Sequence, residues 1–118
     1  MIASYEPHQG DLIWTVLDPT LAREQAGRRP ALVLSHRKFF AATGFAIVCP
    51  ITKRVRPFPS SVILPDDLPT AGEILTSHVR SIDALARPIR HIGTAVPSPI
   101  LAEVRAKLAI LVGMDEAW

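Results

Sequence analysis

Apolar positions in this chain fall into two rhythms. Residues 10–17 (GDLIWTVL), 30–35 (PALVLS) and 45–50 (FAIVCP) are short, nearly unbroken apolar runs bounded by Gly, Pro or polar turn residues, and each predicts a strand. The second and third are apolar throughout, as expected of central strands. Residues 62–64 resume a strand, residues 65–70 (PDDLPT) form a surface turn, and residues 73–83 (EILTSHVRSID) alternate in part and predict one long or bent strand. Residues 89–96 (IRHIGTAV) predict a last, shorter one. A helical rhythm appears twice. Residues 36–43 (HRKFFAAT) suit a short helix closed by Gly44. The second helix starts with Ser98 as cap and Pro99 at the first helical position, carries Ile100, Leu101, Val104, Leu108, Leu111 and Val112 on one face, and stops at Gly113. Residues 114–118 follow as a short tail. Many short strands with one small helix and one capping helix predict a mainly β (α+β) fold, a small barrel-like sheet with mostly antiparallel connections.

Two stretches break these rhythms, and both are basic. Residues 18–29 join the first strand to the second and end in Arg28-Arg29-Pro30, so that a proline leads directly into an apolar run. Proline fixes φ and has no N–H for a ladder, which suits the first residue of a strand and pins Arg29 at its mouth. In residues 51–62 (ITKRVRPFPSSV), Lys53, Arg54 and Arg56 with Pro57 and Pro59 interrupt the apolar pattern, so residues 51–59 read as a second functional loop. Residues 23–56 hold Arg23, Arg28, Arg29, Arg37, Lys38, Lys53, Arg54 and Arg56, eight of the 13 basic residues, against Glu24 alone. The net charge is only +2, so its uneven distribution is the informative part: one positive face, either solvated or made for a polyanion.

Composition narrows the chemistry. At 118 residues, 48% hydrophobic and 20% charged, the chain is expected to be one globular domain, residues 1–113, with its own core. No apolar run approaches the ~18 residues that span a bilayer. The opening MIASYEPHQGDLIW lacks a basic segment followed by an apolar core, so no secretory leader is expected. The one cysteine, Cys49, lies in an apolar run and reads as a buried small hydrophobe, consistent with a cytoplasmic setting. His8, His36, His78 and His91 show no metal-ligand spacing, and no phosphate-binding glycine loop or nucleophile elbow occurs. Phosphodiester chemistry without a metal remains. RNA carries its own nucleophile, so a protein can contribute chiefly by positioning and charge stabilisation. Arg29 can grip a phosphate bidentately, Glu24 is the nearby carboxylate for proton transfer or for orienting Arg29, and the Thr52 hydroxyl can bond a phosphate oxygen. Taken singly, each also fits a surface cation, a solvated loop acid and a turn hydroxyl.

GDLIW at 10–14, DPT at 18–20, EQAGRRPALVLS at 24–35, CPIT at 49–52 and EVRAKLAILVG at 103–113 together resemble the MazF/PemK family, toxins of bacterial type II toxin–antitoxin pairs. The resemblance spans nearly the whole chain. It implies an SH3-like barrel, a homodimer and a sequence-specific, metal-independent endoribonuclease of single-stranded RNA. Such an enzyme needs no cofactor and leaves a 2′,3′-cyclic phosphate and a 5′-hydroxyl. It implies catalytic roles for Arg29 and Thr52, with Glu24 at the family's acidic loop position, and RNA contacts from Gln25, Arg28, Lys53, Arg54 and Arg56. The implied partners are an antitoxin with an acidic, apolar, disordered tail and, only together with that antitoxin, operator DNA. Two departures bear on RNA sequence preference: Phe58-Pro59-Ser60 stands where many relatives have tyrosine-proline-aromatic, and His78 where an acid is common. A same-fold toxin that poisons DNA gyrase through its C-terminal residues is the alternative, and this chain ends in Trp118.

Overall fold

The computed structural model describes residues 5–17 and 28–116. The chain begins with β1 (Asp11–Val16), followed by β2 (Arg28–Val33), helix α1 (Arg37–Thr43) and the long strand β3 (Phe45–Thr52). Two short strands, β4 (Val62–Ile63) and β5 (Glu73–Ile74), precede a 3₁₀ turn at Thr76–His78. The chain then completes the sheet with β6 (Arg80–Asp83) and β7 (Ile89–Ala95) and closes on helix α2 (Ser98–Leu111). Every strand pairing is antiparallel. The order is β4-β5-β3-β2-β1-β7, with β6 also on β3. The sheet does not close into a barrel: among the described residues β4 and β7 stand at its two ends.

β3 is the branch point. Its first half, Phe45 to Val48, pairs with β6, and its last two residues, Ile51 and Thr52, pair with β5. This division corrects the expectation of one strand over residues 73–83. Thr76, Ser77 and His78 form a turn instead, with His78 N–H donating to Leu75 O (3.0 Å) and Val79 N–H to Thr76 O (3.2 Å). Short polar side chains favour local turns over a continuous ladder, and the turn lets one segment serve two parts of β3. A second correction concerns Ile51 and Thr52, expected in a loop but in fact the end of β3.

Strand alternation sorts the apolar residues into two cores. One holds Leu12, Leu32, Cys49, Ile51, Val62, Leu64, Ile74 and Val96 around Val104 of α2. The other holds Ile13, Ala31, Val33, Ala46, Val48 and Ile82, with Phe40 of α1 packed against it. Both faces of β2 and β3 are therefore covered, which is why their sequences read as unbroken apolar runs. Burial pushes the Cys49 thiol up to about 12, so it stays protonated and behaves as a hydrophobe. Helix α1 starts with His36, whose Nδ1 accepts the Lys38 N–H at 3.0 Å, and ends at Gly44 in the left-handed region (φ 78°). Helix α2 begins one residue earlier than the Ser98 cap implied: Pro97 is the cap, its carbonyl accepting from Ile100 and Leu101, and Ser98 is the first helical residue.

Candidate active site

β2 opens at Arg28, two residues before the start expected at Pro30, so Arg28 and Arg29, expected in the preceding loop, are ladder residues and the proline is third in the strand. On one side they face β1, with Thr15 opposite Arg29 and Trp14 opposite Pro30. On the other side β2 meets β3 with Ala31 opposite Pro50 and Val33 opposite Val48. Two residues beyond the Ala31/Pro50 pair on each strand lie Arg29 and Thr52, which line the same cleft. Alternation also puts the two on one face, that of Ala31, Val33 and Val48. A guanidinium and a hydroxyl far apart in sequence are thus neighbours at one sheet edge. The Thr52 Oγ1 accepts the Arg54 N–H at 3.1 Å, which orients the hydroxyl and leaves its own proton to donate. The Arg28 guanidinium lies 5.7 Å from the centre of the Trp14 ring, a cation–π contact that holds it over the cleft.

These groups line a cleft of about 600 Å³ formed by Trp14, Arg28, Arg29, Pro30, Pro50, Ile51, Thr52, Lys53, Arg54 and Leu75. Four cations and no carboxylate face it among the described residues, so the field inside is strongly positive. Thr52, Arg54 and Leu75 also belong to an adjoining lobe of about 410 Å³, lined by Arg56, Phe58, Ser60, Glu73, Ser77 and His78. The two lobes form one groove with Thr52 at the junction. Phe58 is 52% exposed and lines the second lobe, so its ring is available as a stacking surface.

The second lobe rests on a buried carboxylate. Glu73 is 0% exposed, and its two oxygens accept the backbone N–H groups of Arg56 (2.7 Å) and Phe58 (3.0 Å). The Arg56 amide above all, aided by the Phe58 amide and the Ser61 hydroxyl, holds its carboxyl below the usual carboxylate range against the opposing effect of burial. Next to it, Gly72 has φ +134°, and a Cβ there would strike the Thr52 carbonyl. Only glycine lets β5 approach β3 this closely behind Thr52. The far end of the loop is tied to α2, where Lys107 Nζ donates to Ser61 O at 2.7 Å.

Of the residues singled out from sequence, Arg28, Arg29, Thr52, Lys53, Arg54 and Arg56 come together around the groove. Glu24, Gln25 and Trp118 lie outside the described residues. Trp14, Gly72 and Glu73 were missed. A faint signal for Glu73 is that it opens an apolar strand (GEIL) with the one charge there; Gly72 beside it carries no sequence mark of its role. The histidines do not gather a metal: no group of three or more His, Cys, Asp or Glu fit to hold an ion occurs among the described residues. His8 and His36 meet edge to face at 4.4 Å, and each Nδ1 accepts a backbone amide, a structural use.

Known proteins resemble this chain over nearly its whole length. Residues 8–112 match the family model described as PemK-like, MazF-like toxin of type II toxin–antitoxin system. The chain is similar to the endoribonuclease toxin MazF of Escherichia coli K12, 38% identical over 113 residues that cover 96% of this chain and all of that protein. It superposes on crystalline MazF from Deinococcus radiodurans with a TM-score of 0.85 at 41% identity, covering 94% of this chain and 100% of that one. A MazE–MazF complex from the same organism matches with a TM-score of 0.83 at 38% identity, covering 95% and 100%.

Proposed function

Since the chain belongs to the PemK-like, MazF-like toxin family of type II toxin–antitoxin systems, we propose that it is an endoribonuclease whose scissile phosphate sits between Arg29 and Thr52. The observation that supports this reading is that the two residues, each just beyond the end of the β2/β3 pairing, line the same cationic cleft. The 2′-oxygen gives up its proton and attacks phosphorus as the bond to the 5′-oxygen breaks, and that oxygen takes up a proton from water, leaving a 2′,3′-cyclic phosphate and a 5′-hydroxyl. In the pentacoordinate transition state charge grows on the non-bridging oxygens. Arg29 meets it with a planar pair of N–H donors and Thr52 with its hydroxyl proton. The strand fixes the Arg29 backbone and the Arg54 amide orients the Thr52 hydroxyl, so part of the donor set is placed before reaction. Glu24 is the proposed carboxylate for the 2′-hydroxyl proton or for orienting Arg29. Gln25, Arg28, Lys53, Arg54 and Arg56 bind the flanking chain.

RNA rather than duplex DNA suits the groove because unpaired bases can leave the backbone to stack on exposed rings such as Phe58. The proposed setting is the cytoplasm, the proposed assembly a homodimer, and the proposed regulator an antitoxin with an acidic, apolar tail that folds across the groove and displaces RNA. Contact with operator DNA is proposed only in company with that antitoxin. The likeness to the MazE–MazF complex supports the antitoxin reading.

Long single-stranded RNA incubated with purified protein in EDTA tests the proposal. Wild type is expected to cut at a small set of sites, giving 5′-hydroxyl ends, and Arg29→Ala and Thr52→Ala to cut far more slowly. Intact RNA with wild-type protein, or unimpaired cutting by both variants, refutes it.

A further inference from the structure

We propose that Glu73 is a positioning residue for RNA binding, its buried carboxylate shaping the loop that forms the second lobe of the groove. The proposal rests on the nuclease reading for its meaning, though its geometry stands apart from it.

The loop reads Arg56-Pro57-Phe58-Pro59, so every second residue lacks an N–H. The two amides that remain, those of Arg56 and Phe58, both go to Glu73, one to each oxygen. In extended chain, N–H groups two residues apart point the same way, and a strand edge would normally answer them with carbonyls. Here one side chain does so for a segment whose prolines bar it from a ladder. The two residues held in this way are the ones whose side chains line the lobe, a guanidinium and a half-exposed ring. No cation pairs with Glu73 among the described residues, so its charge is satisfied chiefly by the two loop amides, with the Ser61 hydroxyl, instead of a salt bridge. A fully buried carboxylate is expensive where an apolar residue would fit the short strand β5, next to Ile74 of the core. Its return is a fixed loop. Register couples that loop to the reaction, because Glu73 lies opposite Thr52 in the β3/β5 pair.

Glu73→Gln preserves the size of the side chain but replaces one acceptor oxygen with an NH₂ group that opposes a loop N–H. The expected result is a KM for RNA raised about tenfold, the scale of one lost charge-assisted hydrogen bond, with kcat changed less than about threefold. A residue serving stability alone would lower the melting temperature and leave KM in place. Amide hydrogen exchange on the wild type supplies a second measurement that does not need the variant to fold. Arg56 and Phe58 amides should be protected at neutral pH and lose that protection at acid pH before the core opens. Arg54, Arg56 and His78 line the same pocket, so exchange at the two amides is a cleaner report of Glu73 than activity against pH. Wild-type KM in a folded Glu73→Gln, or wild-type Arg56 and Phe58 amides that exchange as fast as open loop, overturns the proposal. If the wild type cuts no RNA, the nuclease reading fails separately, and exchange together with affinity for a 2′-deoxy oligonucleotide still decides the role of Glu73.

Discussion

The two walls of the groove are held by different physics. On the strand side, Arg28 and Arg29 belong to β2, and a backbone ladder to β1 with a proline behind them fixes their position. On the loop side, Lys53, Arg54, Arg56 and Phe58 sit on a segment without ladder bonds, tied down at three points: the Thr52 hydroxyl, the Glu73 carboxylate and the Lys107 ammonium. Ladder bonds are shared among many residues, so no single side chain is essential to the strand wall. Each tie of the loop wall is one side chain, and removing one frees a stretch of the groove. Transition-state contacts need placement within a fraction of an ångström, and they belong on the rigid wall. Contacts to the flanking chain tolerate more motion, and the loop carries those.

The sharpest way to break this contrast is to remove Arg29. Arg29→Ala should cost about 10²-fold or more in kcat, the scale of one lost transition-state donor, with folding intact because the ladder does not use the guanidinium. Single-turnover cleavage beside thermal unfolding measures both. An Arg29→Ala protein that loses affinity instead of rate would place the chemistry elsewhere in the groove.

Gly72 joins the walls, and its substitution should come next in size. A Cβ on Gly72 would meet the Thr52 carbonyl and the Ile51 side chain, in a backbone region that L side chains rarely adopt. Gly72→Ala should cost about 2 kcal/mol or more of stability in urea unfolding, and the folded fraction should cleave more slowly because β3 must shift at Thr52. Wild-type stability with wild-type cleavage would mean that β5 can move aside freely, and the coupling between walls would fall with it.

The loop tie at Glu73 gives a smaller, pH-dependent effect. Hydrogen bonds to the charged form lower its pKa in the folded protein, so their contribution is complete above the ordinary carboxylate range and is lost as pH falls through the depressed value. Stability should therefore be level from neutral pH down to about pH 5 as far as this group is concerned, and decline below about pH 4. Urea unfolding of wild type and Glu73→Gln across that range should give curves that converge in acid. Parallel curves would remove the carboxylate from the loop.

The two walls also differ in how far they could be read from sequence. The strand wall is local: Arg29, Pro30 and an apolar run are contiguous, and the proline points to a strand nearby, although pairing with β1 draws its start back to Arg28. Strand parity then predicts the face, although the pairing of β2 with β3 is needed to bring Thr52 into the same cleft. The loop wall's cations were equally legible, because charges and prolines interrupt an apolar rhythm. Its anchor was not. Glu73 lies 17 residues beyond Arg56, and nothing in the local pattern ties a carboxylate to amides that far away. The 3₁₀ turn at Thr76–His78 was hidden for a similar reason, since the change of partner along β3 is a property of the assembled sheet. Local punctuation survives folding, and side-chain-to-backbone ties across the chain become visible only afterwards.

Arg54 offers the finest test, because it is the cation shared by both lobes. Its backbone N–H fixes Thr52, but that bond survives truncation of the side chain. Arg54→Ala should accordingly leave the rate at saturating RNA within about threefold of wild type. Affinity should fall about uniformly across RNA sequences, and the slope of log K against log salt should shrink by about one, one phosphate's share. A drop in saturated rate with an unchanged salt slope would move Arg54 to the side of the reaction, and the division between a catalytic strand and a binding loop would then have to be drawn beyond Arg54, at Arg56 and Phe58.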